Sequence, residues 1–290
     1  MIEKIDLHVH STASDGIHAP AELVSIAKKA GIKAIALADH DSTAGIDEAI
    51  AAAKTADIEV IPAVELSVAY KDYHDVHILG YWINHHDQQF GQKLGLFRER
   101  RETRGLRIIE RINEKLLSEG KGQISSEEVL AGADGALGRP HIARVLIGHG
   151  HAATMQEAFN NYLLPCNVPK EYFNFHDAVS EIHRIGGIAI LAHPQSLSRS
   201  RPELFAIIRE MAASGLDGIE AINTMGMDDD EQFLRNLAKN AGLIITGGSD
   251  FHGTEEGLSM GTGRGNLHIP AQILENMKAV LENKKSSPAT

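Results

Sequence analysis

Cysteine is almost missing from this chain. Cys166 stands alone among 290 residues, which excludes an internal disulfide framework and leaves any bound metal to histidine and carboxylate. Cys166 itself reads as a packing or loop residue. Long apolar runs are missing too. Stretches such as Ala34 to Ala38 and Ile188 to Ala192 are strand-sized and too short to cross a bilayer. Glu3, Lys4 and Asp6 interrupt any signal-peptide pattern at the start, so the expectation is a cytoplasmic protein with no membrane partner. Basic charge is scarce: 28 Lys and Arg against 39 Asp and Glu give a net charge of −11. That balance argues against stable binding of long nucleic acid and leaves a small phosphorylated substrate open. There is no G-x-x-x-x-G-K-[ST] loop, no G-x-G-x-x-G after a strand and no G-x-S-x-G elbow, so nucleoside-triphosphate, dinucleotide and serine-hydrolase chemistries find no support.

Histidine, by contrast, is plentiful, with 16 in the chain. The run Ile5-Asp6-Leu7-His8-Val9-His10 has the alternation of a strand, which turns His8 and His10 to one face and Leu7 and Val9 to the other. Asp15 follows in a polar turn and offers a harder oxygen ligand beside the two imidazoles. Helices are predicted from Pro20 to Gly31 and from Gly45 to Ala56, with strands at Ala34 to Ala38 and Glu59 to Val64 between and after them. Alternation of this kind implies βαβ crossovers and a parallel sheet. His40 and Glu65 then fall at strand ends. So do His193 after Ile188 to Ala192, and Asp250 and His252 after Leu243 to Gly247, while His77 lies inside a strand at Val76 to Tyr81. Ligands collect at that edge in α/β barrels and open parallel sheets.

The alternation breaks between about Asp87 and Asn174. Helices are predicted at Gln88 to Glu119, Ser125 to Leu130, Pro140 to Ile147 and Thr154 to Tyr162, and the βα pattern resumes with a helix from Asp177 to Ile185. The chain therefore divides into residues 1–87 with 175–290, a catalytic unit, and residues 88–174, an inserted helical unit. Arg100, Arg104, Arg107 and Arg111 share one face of the first inserted helix, near Arg101. Interleaved Glu99, Glu102 and Glu110 leave two readings open, a solvated face laced with ion pairs or a face turned to phosphate. Gly138-Arg139-Pro140-His141 places an arginine and a histidine at a helix start, where free N–H groups favour an anion. Lys170, after Val168-Pro169, is a further candidate. The tail from Lys284 to Thr290 reads as disordered.

Six histidines (8, 10, 40, 77, 193 and 252) and three carboxylates (Asp15, Glu65 and Asp250) are more ligands than one ion needs. They suit two or three divalent ions with a bridging carboxylate. Such a cluster activates water, polarises a phosphoryl oxygen and neutralises charge on the leaving oxygen, which fits hydrolysis of a phosphate ester. Imidazole with carboxylate suits manganese, iron and zinc alike, and manganese is the first expectation.

The motifs Asp6-Leu7-His8-Val9-His10-Ser11 with Asp15-Gly16, Ala38-Asp39-His40-Asp41, Pro62-Ala63-Val64-Glu65, His77-Ile78-Leu79-Gly80, Ala192-His193-Pro194 and Gly248-Ser249-Asp250-Phe251-His252 together resemble the PHP (polymerase and histidinol phosphatase) metal-dependent phosphoesterases. The resemblance covers nearly the whole chain. It implies an α/β fold, a distorted (β/α)7 barrel, with one ion on His8, His10, Glu65 and Asp250, a second on Glu65, His77 and His193, and a third on Asp15, His40 and His252. The insertion, with Gly138 to Arg144 and Asn167-Val168-Pro169-Lys170, looks like the branch that contains nucleoside 3′,5′-bisphosphate phosphatases and 5′-3′ exonucleases of short RNA. One stretch departs from that branch: Ala221-Ile222-Asn223-Thr224 stands where an aromatic-containing strand end is expected. The leading expectation is removal of the 3′-phosphate of a bisphosphonucleotide, with Arg139 first among the substrate contacts and Arg101, Arg104, His141 and Lys170 beside it. Trimming of short 5′-phosphorylated RNA is the alternative within the enzyme class. A non-catalytic metal-binding module is the alternative outside it, and nine retained ligands weigh against that.

Overall fold

The computed structural model describes residues 4–132, 137–198, 200–226 and 228–286. Strand and helix alternate from the start as β1 (Lys4–Val9), α1 (Pro20–Lys29), β2 (Ile32–Leu37), α2 (Ile46–Ala53) and β3 (Glu59–Tyr70). Pro20 opens α1, where its missing N–H leaves no bond unmade, and Leu23, Val24 and Ala27 are buried from that helix. β1, β2 and β3 pair in parallel, as the crossovers require.

The next strand corrects the expectation of an all-parallel sheet. β3 continues to Tyr70, well past Glu65, and only Lys71 and Asp72 separate it from β4 (Tyr73–Tyr81). So short a connection can join only antiparallel neighbours. β4 pairs antiparallel with β3 on one side and with β6 (Ile188–Leu191) on the other. β7 (Gly218–Ile222) and β8 (Ile244–Gly247) then add in parallel. The strand order is β1-β2-β3-β4-β6-β7-β8, with β5 (Phe173–Asn174) pairing beside β3. A bridge from Val9 to Phe251, and the His10 N–H donating to the Phe251 carbonyl at 2.9 Å, bring the segment after β8 against β1. The two ends of the strand order therefore meet.

Alternation along the strands divides the apolar side chains between two faces. Leu7, Ala36, Ile61, Leu79, Tyr81 and Ile190 gather in one cluster, which α10 (Gln272–Ser286) covers with Ile273, Leu274 and Met277. Ile35, Leu37, Val64, Leu66 and Ile78 belong to a second cluster, with side chains of α1, α2 and α7 (Phe175–Arg184). α10 runs through Ser286, so Lys284 to Ser286 are helical rather than part of a disordered tail, and residues 287–290 lie outside the described residues.

The insertion begins with α3 (Gln88–Ser118), a single helix of 31 residues whose Asp87 cap accepts the Phe90 N–H at 2.9 Å. Phe90 and Leu94 pack into the sheet's core. From Ile108 onward the helix packs into a separate cluster with α4 (Ser126–Ala131), α5 (Arg139–Gly148) and α6 (Met155–Ala158), drawn from residues 108–168. The helix expected at Thr154 to Tyr162 is α6 followed by a π-helical turn, Phe159–Leu163. α8 (Arg201–Ala213) and α9 (Asp228–Ala241) complete the outer layer. No helix among the described residues is long and apolar enough to cross a membrane.

Candidate metal centre

Nine side chains that lie up to 244 residues apart in sequence, as His8 and His252 do, converge at one rim of the sheet. β1 delivers His8, the segments after β1, β2, β6 and β8 deliver His10, Asp15, His40, His193, Asp250 and His252, and β3 and β4 deliver Glu65 and His77 from within the strands. Glu65 is the hub. Its Oε2 lies 3.3 Å from His8 Nε2, 3.3 Å from His10 Nε2 and 2.9 Å from His40 Nδ1, and its Oε1 lies 2.9 Å from His77 Nδ1 and 3.2 Å from His193 Nε2. Asp250 Oδ1 is 3.1 Å from His10 Nε2 and 3.4 Å from His8 Nε2, and Asp15 Oδ1 is 3.2 Å from His252 Nε2.

Apart from the Glu65–His193 hydrogen bond, these short contacts leave many of the atoms that make them unsatisfied. His8 Nε2, both ring nitrogens of His10, Asp15 Oδ1, His40 Nδ1, Glu65 Oε2 and His77 Nδ1 are buried and have no hydrogen bond of proper direction among the described residues. Unpaired buried polar atoms are costly, and ligand atoms that face a shared point rather than each other are what a metal site requires. Three sets of donor atoms lie within 4.8 Å of one another: His8, His10, Glu65 and Asp250; His40, Glu65 and His77; and His10, Asp15, His40 and His252. The donor chemistry and the unpaired atoms fit two or three divalent cations. His40 sits in two of these sets, and His193 approaches the second set through Glu65 Oε1.

Charge in the cluster has clear causes. Burial pushes the Glu65, Asp15 and Asp250 carboxyls up, but the surrounding imidazoles outweigh it and hold all three well below the usual carboxylate range. Burial, with His252 and His40 close by, drives the His10 imidazole down to about 3, so it is the neutral form that ligates. Burial also acts downward on His8, yet Glu65, Glu220 and Asp250 together raise it well above its usual value. A cation bound there would compete with a proton.

Four acidic residues with no role assigned from sequence hold the ligands in place. Glu220, fully buried on β7, accepts from His8 Nδ1 at 3.0 Å through Oε1 and from the His193 N–H at 2.9 Å through Oε2. It thereby turns His8 Nε2 toward Glu65. Asp6 accepts the Ser249 N–H (2.9 Å) and the Gly261 N–H (2.6 Å), fixing the loop of Asp250. Asp39 accepts from the Ser11 N–H (2.8 Å) and the Ser11 hydroxyl (2.7 Å), fixing the loop of Asp15. Asp41 accepts the Ser67 N–H at 2.9 Å and pairs with Arg101 at 3.1 Å. Asp41, His193 and Asp250 all have positive φ, strain that these bonds sustain at the rim.

The cluster opens into a cavity of about 350 Å³ whose walls include Asp15, His40, His77, His193 and Asp250 at the cluster and Arg101, Arg104, Arg139 and Lys170 from the insertion side. Arg104 donates to the Val168 carbonyl (2.7 Å) and Asn167 Oδ1 (2.8 Å). On the same helix Arg111 donates to the Asn167 carbonyl and Arg100 pairs with Glu171, so the arginine face of α3 is in large part a tether for the 167–171 loop. His141 is buried and its Nδ1 accepts the Gly138 N–H at 3.0 Å, capping α5 rather than walling the cavity. Phe159, Met225, Ser196 and Asp75 are cavity residues not anticipated from sequence. In the divergent 221–224 stretch Asn223 donates to the Glu220 carbonyl and to Gln195 Oε1, and Met225 is the nearby side chain that reaches the cavity. His85 and His86 lie apart, beside Asp47 on the surface.

An α/β sheet that brings buried imidazoles and shared carboxylates to a cavity also lined by cations defines a metal-dependent phosphoesterase. The PHP domain model matches residues 6–168, and the chain belongs to that family. It is 37% identical over 255 residues to a 5′-3′ exoribonuclease of Haemophilus influenzae, covering 87% of this chain and 91% of the relative. It is 34% identical to a 3′,5′-nucleoside bisphosphate phosphatase of Chromobacterium violaceum, covering 87% and 88%. A crystal structure from Bifidobacterium adolescentis, described as a metal-dependent phosphoesterase, superposes with a TM-score of 0.83 at 27% identity over 96% of both chains.

Proposed function

We propose that the protein removes the 3′-phosphate of nucleoside 3′,5′-bisphosphates such as pAp, releasing the nucleoside 5′-monophosphate and phosphate in the cytoplasm. The observation that carries this reading is a single cavity lined both by Asp15, His40, His77, His193 and Asp250 of the cluster and by Arg139 and Lys170. A simple monoester would use only the first, whereas a bisphosphonucleotide uses both. Two or three divalent ions, manganese foremost, held by His8, His10, Asp15, His40, Glu65, His77, His193, Asp250 and His252, would supply Lewis acidity and an activated water at the 3′-phosphate. The chain's own residues do the rest. Arg139 and Lys170 grip the 5′-phosphate, Arg101 ties α3 to the rim through Asp41, and Arg104 fixes the loop that presents Lys170. In this reading the helical segment 88–174 serves as the specificity unit.

Removal of 5′ nucleotides from short RNA is the second reading, favoured by the name of the Haemophilus influenzae relative. Both reactions place a 5′-phosphate in the same grip. Initial rates of the manganese-loaded protein on pAp, a 5′-phosphorylated RNA dinucleotide and histidinol phosphate, with a chelator-treated control, test the proposal. The expected order is pAp, then the dinucleotide, then histidinol phosphate, with no turnover after chelation. Histidinol phosphate turned over as fast as pAp, or activity indifferent to chelation, overturns it.

A further inference from the structure

The basic lining of the cavity already contains an anion of the protein's own. Asp75, near the start of β4, places Oδ1 3.1 Å from Lys170 Nζ and Oδ2 3.9 Å from Arg139 NH2. Among the described residues neither cation has another carboxylate within ion-pair distance. Burial and the nearby Asp75 push the Tyr172 hydroxyl up to about 12, and Lys170 completes its contacts with Ser67 Oγ at 2.9 Å and the Tyr172 ring at 5.0 Å. Arg104 lies close enough to feel both Arg139 and Asp75. Two cations from two segments, α5 and the 170 loop, thus pair with one carboxylate from a third, with Arg104 of α3 nearby.

A carboxylate and a phosphate accept from the same donors in the same geometry. Without Asp75 the cations would face one another uncompensated; with it they are held at the spacing that a phosphate needs. We propose that Asp75 is a resident competitor for the second-phosphate grip, which keeps Arg139 and Lys170 assembled and must be displaced by the 5′-phosphate of the substrate. The inference rests on the reading of this lining as a phosphate grip. Its consequence is selectivity: a dianionic phosphate displaces a carboxylate, a weaker anion does not, and the product nucleotide is released more readily than an empty cationic grip would allow.

Asp75→Asn tests this. Its backbone has φ +57, a conformation that asparagine tolerates, so the substitution removes charge without forcing the turn. The measurement is kcat/KM of the metal-loaded protein on adenosine 3′,5′-bisphosphate and on adenosine 3′-monophosphate, which lacks the 5′-phosphate, together with inhibition by 5′-AMP. The wild type is expected to prefer the bisphosphate. The variant should widen that preference roughly threefold to tenfold through a lower KM for the bisphosphate and tighten 5′-AMP inhibition by a similar factor, while a native far-ultraviolet dichroism spectrum and melting temperature show that it is folded. Asp75→Ser, equally uncharged, should behave alike. An unchanged preference shows that Asp75 does not compete, and a reduced one shows that it supports the substrate; either overturns the inference while leaving the grip standing. A wild type that does not distinguish the two substrates overturns the grip itself.

Discussion

Replacing Glu220 by glutamine keeps the size of a fully buried side chain and removes its charge, so it isolates what that carboxylate does for the histidines beside it. One oxygen serves the His8 ring and the other the His193 backbone N–H. An amide offers one acceptor and one donor, so one of these two partners must lose its acceptor. If the NH2 group faces His193, two donors oppose each other. If it faces His8, that ring must carry its proton on Nε2, the atom 3.3 Å from Glu65 and 3.4 Å from Asp250, and can no longer ligate with it. Either way a hydrogen bond to a charged group, contributing about 1.5–3 kcal/mol, is lost from the support of a ligand. Changes of this kind lower metal affinity by roughly ten- to a hundredfold. Metal content after dialysis against buffers of graded free manganese measures it, and the half-saturation point of Glu220→Gln should rise by that factor while far-ultraviolet dichroism stays native. A half-saturation point equal to that of the wild type would refute the view that Glu220 sets the His8 tautomer.

Arg139→Ala should lower kcat/KM on the bisphosphonucleotide by roughly ten- to a hundredfold, because a charged hydrogen bond to phosphate is removed, and should leave p-nitrophenyl phosphate nearly untouched; an equal fall on both would place Arg139 at the reacting phosphate or in folding. In Gly248→Ala the new Cβ would stand 2.1 Å from His8 Cβ and 2.7 Å from its backbone N, so metal content and melting temperature should drop together, and a variant that melts and loads like wild type contradicts the packing. For Asp217, burial alone would raise the carboxyl, but His183, Lys284 and the Ala189 N–H outweigh it and hold it below the usual range. A depressed folded pKa means that the stability contributed is complete above the ordinary carboxylate range and is lost as pH falls, so the destabilisation by Asp217→Asn, read from urea midpoints, should be largest near pH ~7 and shrink toward pH ~3.

The gathering of these nine residues at one rim was legible because each lies in or beside a strand with a short, strongly patterned motif. His8 lies on β1 and His10 directly after it, and His40, His193, Asp250 and His252 each follow an apolar run. The direction of β4 was less visible, since a period of two reads the same either way along a strand. The two-residue connection Lys71-Asp72 carried the missing information, but it became a signal only once β3 was known to reach Tyr70. Glu220 was hidden for a different reason. It sits in an otherwise apolar strand, Gly218–Ile222, whose burial pattern admits a carboxylate only because two buried N–H groups meet it there. Its partners come from β1 and from the loop after β6, which no local pattern connects. Asp75 and Phe159 enter the cavity through the packing of the hairpin and of the helical insertion, which local sequence patterning does not specify.

The meeting of β1 with the segment after β8 has a consequence for the protein's biosynthesis. His8 and His10 leave the ribosome first among the ligands, while Asp250 and His252 emerge some 240 residues later, and the Val9 to Phe251 bridge that unites them cannot form before then. Glu65, His77 and His193 add their donors in the interval without completing the set that includes Asp250. A nascent chain therefore holds the residues of one donor group, His40 with Glu65 and His77, long before the groups that need Asp250 or His252 can form. The full set is assembled only in a late event, when the segment after β8 closes against β1.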